Sequence, residues 1–211
     1  MACESPEDRH RRMSCEGDAL SDERIGEALI QEVIEEELKE VRSEDVPPFT
    51  PVAVNRQSDQ EQKMVNQLAT MVRIIGDKMH SDRAFQDAID GMVQISDSKW
   101  DRFRQVADKV FEHGITWERI AVLIYVAGRL AVKMVRAHLP QSVRDVLRWT
   151  VDYFKNHLLN WVQSNGGWIS SFSVLAAVSM QRVSSISSYG LVLVFVAGVG
   201  LGSIVTWRMT R

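Results

Sequence analysis

Apolar residues recur at helical spacing along most of this chain, and the longest uninterrupted apolar stretch comes last. Residues 1–17 are polar and charged without periodicity and are expected to be disordered. Ser21-Asp22-Glu23 suits a helix start, with acids in the first turn, and that helix is expected to run to about Val41. Pro47, Pro48 and Pro51 stop it, and residues 43–63 read as a long flexible linker. From Met64 the pattern is helical. Leu68, Val72, Ile75 and Met79 fall on one narrow stripe of an ideal wheel. A short apolar piece follows around Phe85–Val93, then a helix capped by Ser96-Asp97-Ser98 and ending near Gly114. Thr116 can cap the next helix, with Glu118 in its first turn.

Ile120–Gly128 carries no charge and is too apolar all round for a surface helix, so it reads as the buried centre of the fold. Pro140 closes that helix. Another is expected from about Ser142 to Ser164, ending at Gly166-Gly167, and a last soluble helix or two in Trp168–Arg182. Tyr189–Trp207 is free of charge, as is everything between Arg182 and Arg208. A helix over that stretch covers roughly 28 Å, about the hydrocarbon thickness of a bilayer. No strand pattern, repeat or low-complexity tract stands out. The expected fold class is all-α: a bundle over 18–182 with one greasy helix wrapped by amphipathic ones, and a C-terminal membrane anchor over 183–211.

With 211 residues and a net charge of −3, the chain holds one well-buried core and makes no case for nucleic acid. Cys3 and Cys15 lie in the polar N-terminus and read as free cytosolic thiols. The first fifteen residues hold no apolar segment, so no secretory signal is expected, and the anchor would insert after synthesis with the N-terminus in the cytosol. The five histidines are scattered without metal spacing, and no nucleophile–base pair is legible. The expectation is a protein without enzymatic activity, metal or cofactor. Gly198, Gly200 and Gly202 sit inside the apolar tail without a preceding strand, which excludes a phosphate loop. Gly198 and Gly202 form a small-xxx-small pair that suits close approach of membrane helices.

Three features have both an ordinary and a specific reading. The Leu68–Met79 stripe, with Gly76 beside it, is either a core face or a recognition face that inserts into a partner's groove. Spacing does not separate the two. Arg129, Lys133 and Arg136 form a basic stripe on the helix that bears Ile120, Leu123 and Ile124. Arg144, Arg148 and Lys155 do the same on the next, which carries Trp149, Phe154 and Trp161. Such helices suit either the solvated faces of a bundle or an anionic membrane interface.

Several segments resemble the Bcl-2 family of apoptosis regulators. Leu68…Arg73-Ile74-Ile75-Gly76-Asp77 is similar to its death-motif helix. Phe111-Glu112-His113-Gly114-Ile115-Thr116-Trp117-Glu118-Arg119-Ile120 resembles the signature at the start of its central helix, and Trp161-Val162-Gln163-Ser164-Asn165-Gly166-Gly167-Trp168 its Gly-Gly-Trp turn. The order is the family's, and a tail anchor follows. The resemblance spans about 64–211, is weak over 18–42 and is absent in the linker. Within the family, Trp149-Thr150-Val151-Asp152-Tyr153-Phe154, Leu158-Leu159-Asn160-Trp161 and the tail Val194–Val199 look most like the pore-forming agonists, and Trp207 closes the expected anchor. Two departures stand out: Thr116-Trp117-Glu118-Arg119 where the family usually has Asn-Trp-Gly-Arg, and Val72 where leucine is more usual.

The resemblance implies a salt bridge between Asp77 and Arg119, although Asp77 lies about 170 degrees from the stripe centre on an ideal wheel. It further implies a groove near Gly114–Val122 that takes death-motif helices of activator and survival relatives. Self-assembly into dimers and higher oligomers would follow, with permeabilisation of the mitochondrial outer membrane and release of apoptogenic factors. The protein would be cytoplasmic at rest and mitochondrial when active. One alternative is a survival protein that sequesters agonists through the same groove. Another is a tail-anchored adaptor whose helical body docks a cytosolic partner.

Overall fold

The computed structural model describes residues 6–41, 58–80, 89–90 and 99–180. The expected anchor over 183–211, with Gly198, Gly202 and Trp207, lies outside these residues, as do most of the 43–63 segment and the 81–88 and 91–98 stretches. The architecture is all-helical. In chain order the helices are α1 (Pro6–Leu38), α2 (Asp59–His80), α3 (Lys99–Val110), α4 (Trp117–Arg136), α5 (Gln141–Tyr153), a π-helical turn (Phe154–Leu158), α6 (Leu159–Ser164) and α7 (Gly167–Met180).

α4 is the centre. All of its residues are buried except Glu118, Arg119, Lys133 and Arg136, each of them charged. It packs against α1, α2, α3, α5 and α7. Thr116 caps it as expected: its backbone is extended and its hydroxyl accepts from the Arg119 N–H at 3.3 Å. α1 supplies Ile25, Leu29, Ile30, Val33, Ile34 and Leu38, all buried, and α2 supplies Val65, Leu68, Ala69, Val72 and Ile75. Each set advances by steps of one, three or four residues and so makes one apolar face.

Three boundaries differ from the sequence expectation. α1 begins at Pro6, so residues 6–17 are helical where disorder was expected. Proline suits a first helical position, and acid-to-arginine spacings of four at Glu7/Arg11 and Asp8/Arg12 favour a helix even where no apolar stripe exists. α2 begins at Asp59 inside the expected linker. Its start is a reciprocal cap: the Glu61 N–H donates to Ser58 Oγ at 3.2 Å and the Ser58 N–H to Glu61 Oε2 at 3.0 Å. The long helix expected over 142–164 is widened at Phe154–Leu158. Phe154, Leu158 and Val162, each four apart, are all buried. In an α-helix a spacing of four drifts by about 40° per step, and the wider π turn removes that drift, keeping all three on the core.

Candidate functional site: a packed motif helix and its ties

The apolar stripe of α2 is a core face here. Leu68, Val72 and Ile75 are buried in the same cluster as the inward residues of α1 and α4; the side chain of Met79 is not among those described. Gly76 is required sterically, because a Cβ there would fall on the Tyr125 ring of α4. Asp77 is exposed on the opposite face.

Polar ties hold this helix at three levels. At its start, Glu61 accepts from Ser21 Oγ at 2.6 Å and Arg24 Nη2 at 2.9 Å, both on α1. Partial burial raises the Glu61 carboxyl, but the hydrogen bonds from Ser21, Arg24 and Ser58 outweigh it and hold the group below its ordinary value. Midway, Arg73 reaches Glu36 at 3.3 Å and Glu37 at 3.5 Å. Near its end, Lys78 Nζ donates to the carbonyls of Val178 and Ser179 on α7, each at 2.8 Å.

The Asp77–Arg119 salt bridge implied by the resemblance is not formed. Arg119 instead donates to the Gly114 carbonyl at 2.6 Å. Burying the stripe turns Asp77 to solvent, and the left-handed turn at Gly114, with φ of 96°, brings its carbonyl back over the first turn of α4. In the segment assigned to a partner groove, Trp117, Ile120 and Val122 are buried, Ile115 is half-buried and Gly114 is exposed.

The two signature segments do meet. Trp117 lies 5.1 Å from Trp161 and 5.5 Å from Trp168, ring centre to ring centre, and Trp168 lies 5.9 Å from Phe154. Gly166 and Gly167, with φ of 85° and 65°, make the turn that brings Trp168 in. Asp22 of α1 locks it: Oδ1 accepts the Trp168 N–H at 3.0 Å, and the Asp22 carbonyl accepts the indole N–H at 2.9 Å. A Cβ at Gly167 would come within 2.7 Å of that carboxylate. Asp22 and the small Gly26, which makes room for the Phe154 ring, were not singled out as site residues from sequence.

The basic stripe of α4 is not evenly solvated in this structure. Arg129 is only 3 % exposed. Its Nη1 donates to Glu37 at 2.9 Å and Glu40 at 2.8 Å, both acids of α1. Lys133 pairs with Asp90 at 2.6 Å and Arg136 with Glu40 at 3.7 Å. Ile120, Leu123 and Ile124 are buried with it. Trp149 is half-buried and joins Trp100 and Phe103 of α3, at 6.1 and 6.3 Å, rather than lying free. Among the described residues no helix is long and apolar enough to cross a membrane, and no cluster of acidic, His or Cys side chains is arranged to hold a metal ion.

Residues 71–168 match the family model described as apoptosis regulator proteins, Bcl-2 family. The apoptosis regulator BAX of Bos taurus is 30% identical over 142 residues, 67% of this chain and 68% of that protein. The Bcl-2 homologous antagonist/killer of Homo sapiens is 26% identical over 118 residues, covering 54% of this chain and 56% of its own length. The apoptosis regulator Bcl-2 of Gallus gallus is 33% identical over a shorter 86 residues, 41% of this chain and 36% of its own. Among solved structures, Trichoplax adhaerens trBcl-2L2 bound to trBak BH3 superposes with a TM-score of 0.56 at 23% identity, covering 71% of this chain and 96% of that one, which shows the fold. By its match to BAX and to the family model, this chain belongs to the Bcl-2 family of apoptosis regulators.

Proposed function

We propose that this chain is a pro-apoptotic effector of the Bcl-2 family, one that oligomerises on activation and permeabilises the mitochondrial outer membrane. The observation that carries the reading is the state of α2. Its death-motif face, Leu68, Val72 and Ile75, is fully packed at home, so a partner reaches it only after α2 leaves the bundle. Release is feasible because the helix is held by separable ionic and hydrogen-bonded ties along its length as well as by burial. A freed α2 would bury the same face in the groove of another copy, so that the two states exchange one set of contacts for a similar one. The wider match to BAX than to Bcl-2 points the same way. That trBcl-2L2 is found bound to a BH3 segment supports a groove for such helices here as well.

α4 and α5 would then meet lipid. Arg129 sets a condition on this step. Its acids come from α1, so α1 and α4 must separate for α4 to lie in a membrane, and a buried cation parted from its partner costs about 3–5 kcal/mol unless water or lipid phosphate takes over. In this reading the protein rests in the cytoplasm, is anchored by its C-terminal segment when active, and needs no catalysis or cofactor.

The test is dye release from liposomes carrying anionic lipid, with an activator death-motif peptide added to the full chain. Peptide-dependent release, abolished by Leu68→Glu, is the expected result; no release at any dose rejects the effector role. The survival reading is favoured by one observation, the matches to Bcl-2 and to Bcl-2-like protein 1. Overexpression separates the two: cells die if the effector reading holds and are protected if the survival reading holds.

A further inference from the structure

The π turn between α5 and α6 holds one residue more than a continuous α-helix needs. Its closing bond runs from the Leu159 N–H to the Phe154 carbonyl, five residues back. On a wheel of about 100° per residue, the extra residue puts Val162 in line with Val143, Leu147 and Phe154 of α5, all of them buried. Without it, Trp161 would take the place of Val162 on that line. α1 grips the turn. The Phe154 ring fills the space left by Gly26, where a Cβ would lie 2.3 Å from it. Lys155 Nζ reaches Glu23 at 3.0 Å and pairs with Glu27 as well. α6 itself packs against α1 and α7. The local contacts of the turn are neutral between the two forms. Asn156 Nδ2 donates to the Asp152 carbonyl at 2.7 Å, and the His157 ring lies 4.6 Å from that of Tyr153. Both pairs are four residues apart, a spacing that a regular α-helix also brings together.

We propose that the π turn is a register switch set by α1: while α1 is packed the extra residue is kept in the turn, and when α1 leaves, α5 and α6 close into one α-helix. The inference rests on the effector reading, in which α1 parts from α4 in the active state. Closing restores the regular backbone bonds that a wide turn gives up, so it needs no outside donor. Everything from Leu159 onward then turns by about 100° relative to α5. Trp161 moves off Trp117, 5.1 Å away in the packed bundle, and onto the apolar line of α5. The Gly166-Gly167 turn is carried round with it, so Trp168 is re-aimed in the same step.

The experiment has two arms, both on the full chain. Deleting Asn156 removes the stored residue, so the urea midpoint is expected to stay within about 0.5 M of the unmodified protein, whereas deleting Asp145, in regular helix, is expected to lower it by about 2 M. Equal losses overturn the inference. In the second arm, nitroxide labels are placed at Arg148→Cys and Asn160→Cys, both exposed, in a chain carrying Cys3→Ser and Cys15→Ser. The two labels share one side of the helix while the turn is wide and lie about 120° apart once it closes. A second chain labelled at Leu20→Cys and Arg148→Cys reports whether α1 has left. With anionic liposomes and an activator death-motif peptide, the distance between the labels at 148 and 160 is expected to lengthen by about 6 Å when α1 leaves, and to stay constant in the Asn156 deletion. A constant distance after α1 has left, or a longer one with α1 in place, overturns the inference. Dye release with a constant distance removes the switch alone. A lengthened distance without release supports the switch and rejects the effector reading, and α1 staying in place without release removes both.

Discussion

α4 and α7 are both strongly apolar helices, yet the fold holds them in opposite ways. α4 is enclosed on every side, and its one fully buried charge is fixed in mid-helix by two acids of α1. α7 buries only Trp168, Ser171 and Leu175 completely, leaves Ile169 and Met180 exposed, and is tied by a carboxylate of α1 at Trp168 and an ammonium of α2 at Val178 and Ser179. A helix fixed by enclosure moves only if the core opens. A helix held on the outside by a few polar ties is released when those ties go. The contrast separates the part of the molecule that defines the fold from the part that can respond to a change in α2.

The largest expected effect comes from making the same hole in both helices. Leu123→Ala in α4 should cost about 4–5 kcal/mol, because the cavity is enclosed, and Leu175→Ala in α7 about 2–3 kcal/mol, because an outer helix can settle into the space. Urea denaturation of the two variants gives the comparison, and equal losses would erase it. Glu37→Gln should cost about 3 kcal/mol, since it takes a carboxylate from buried Arg129 while Glu40 remains. Denaturation should show that loss largely absent when Arg129 is replaced by Met in the same chain. Asp22→Ala removes the N-terminal cap of α7 and should cost about 1–2 kcal/mol, with faster hydrogen exchange confined to the first turns of that helix.

The smallest expected effect is on pH dependence. The Glu61 carboxyl titrates below its ordinary 4.5 when folded. Its contribution is therefore fully present above that value and is lost as pH falls through the lower, folded one. Glu61→Gln should flatten this part of the acid limb of a stability–pH curve while leaving the rest unchanged. An unaltered acid limb would show that the ties from Ser21 and Arg24 contribute little.

Much of the fold was legible in the sequence because burial follows short-range periodicity. The charge-free run Ile120–Gly128, the stripe Leu68–Val72–Ile75, the Thr116 cap and the Gly166-Gly167 turn each declare themselves within a dozen residues. What escaped depends on partners far along the chain. Arg129 falls on a regular basic stripe with Lys133 and Arg136, and nothing local says that Glu37 and Glu40, 92 and 89 residues earlier, neutralise it. Asp22 looks like a residue of a helix start, yet it caps a helix 146 residues away. Ser58 and Glu61 carry the spacing of a reciprocal cap, a signal hidden by the proline-rich residues before them. The Asp77–Arg119 pair came from resemblance alone, and the wheel had already placed Asp77 away from the buried face.

In the proposed mechanism, α2 must leave α1 before a membrane is opened. The most direct measurement ties the two together: cysteines at Ser21 and Glu61, which are in contact at the start of α2, joined by a reducible crosslinker in a chain whose Cys3 and Cys15 are replaced by serine. Peptide-stimulated dye release should be lost in the tied protein and recovered once the link is reduced. Release from the tied protein at the rate of the untied one would contradict the account.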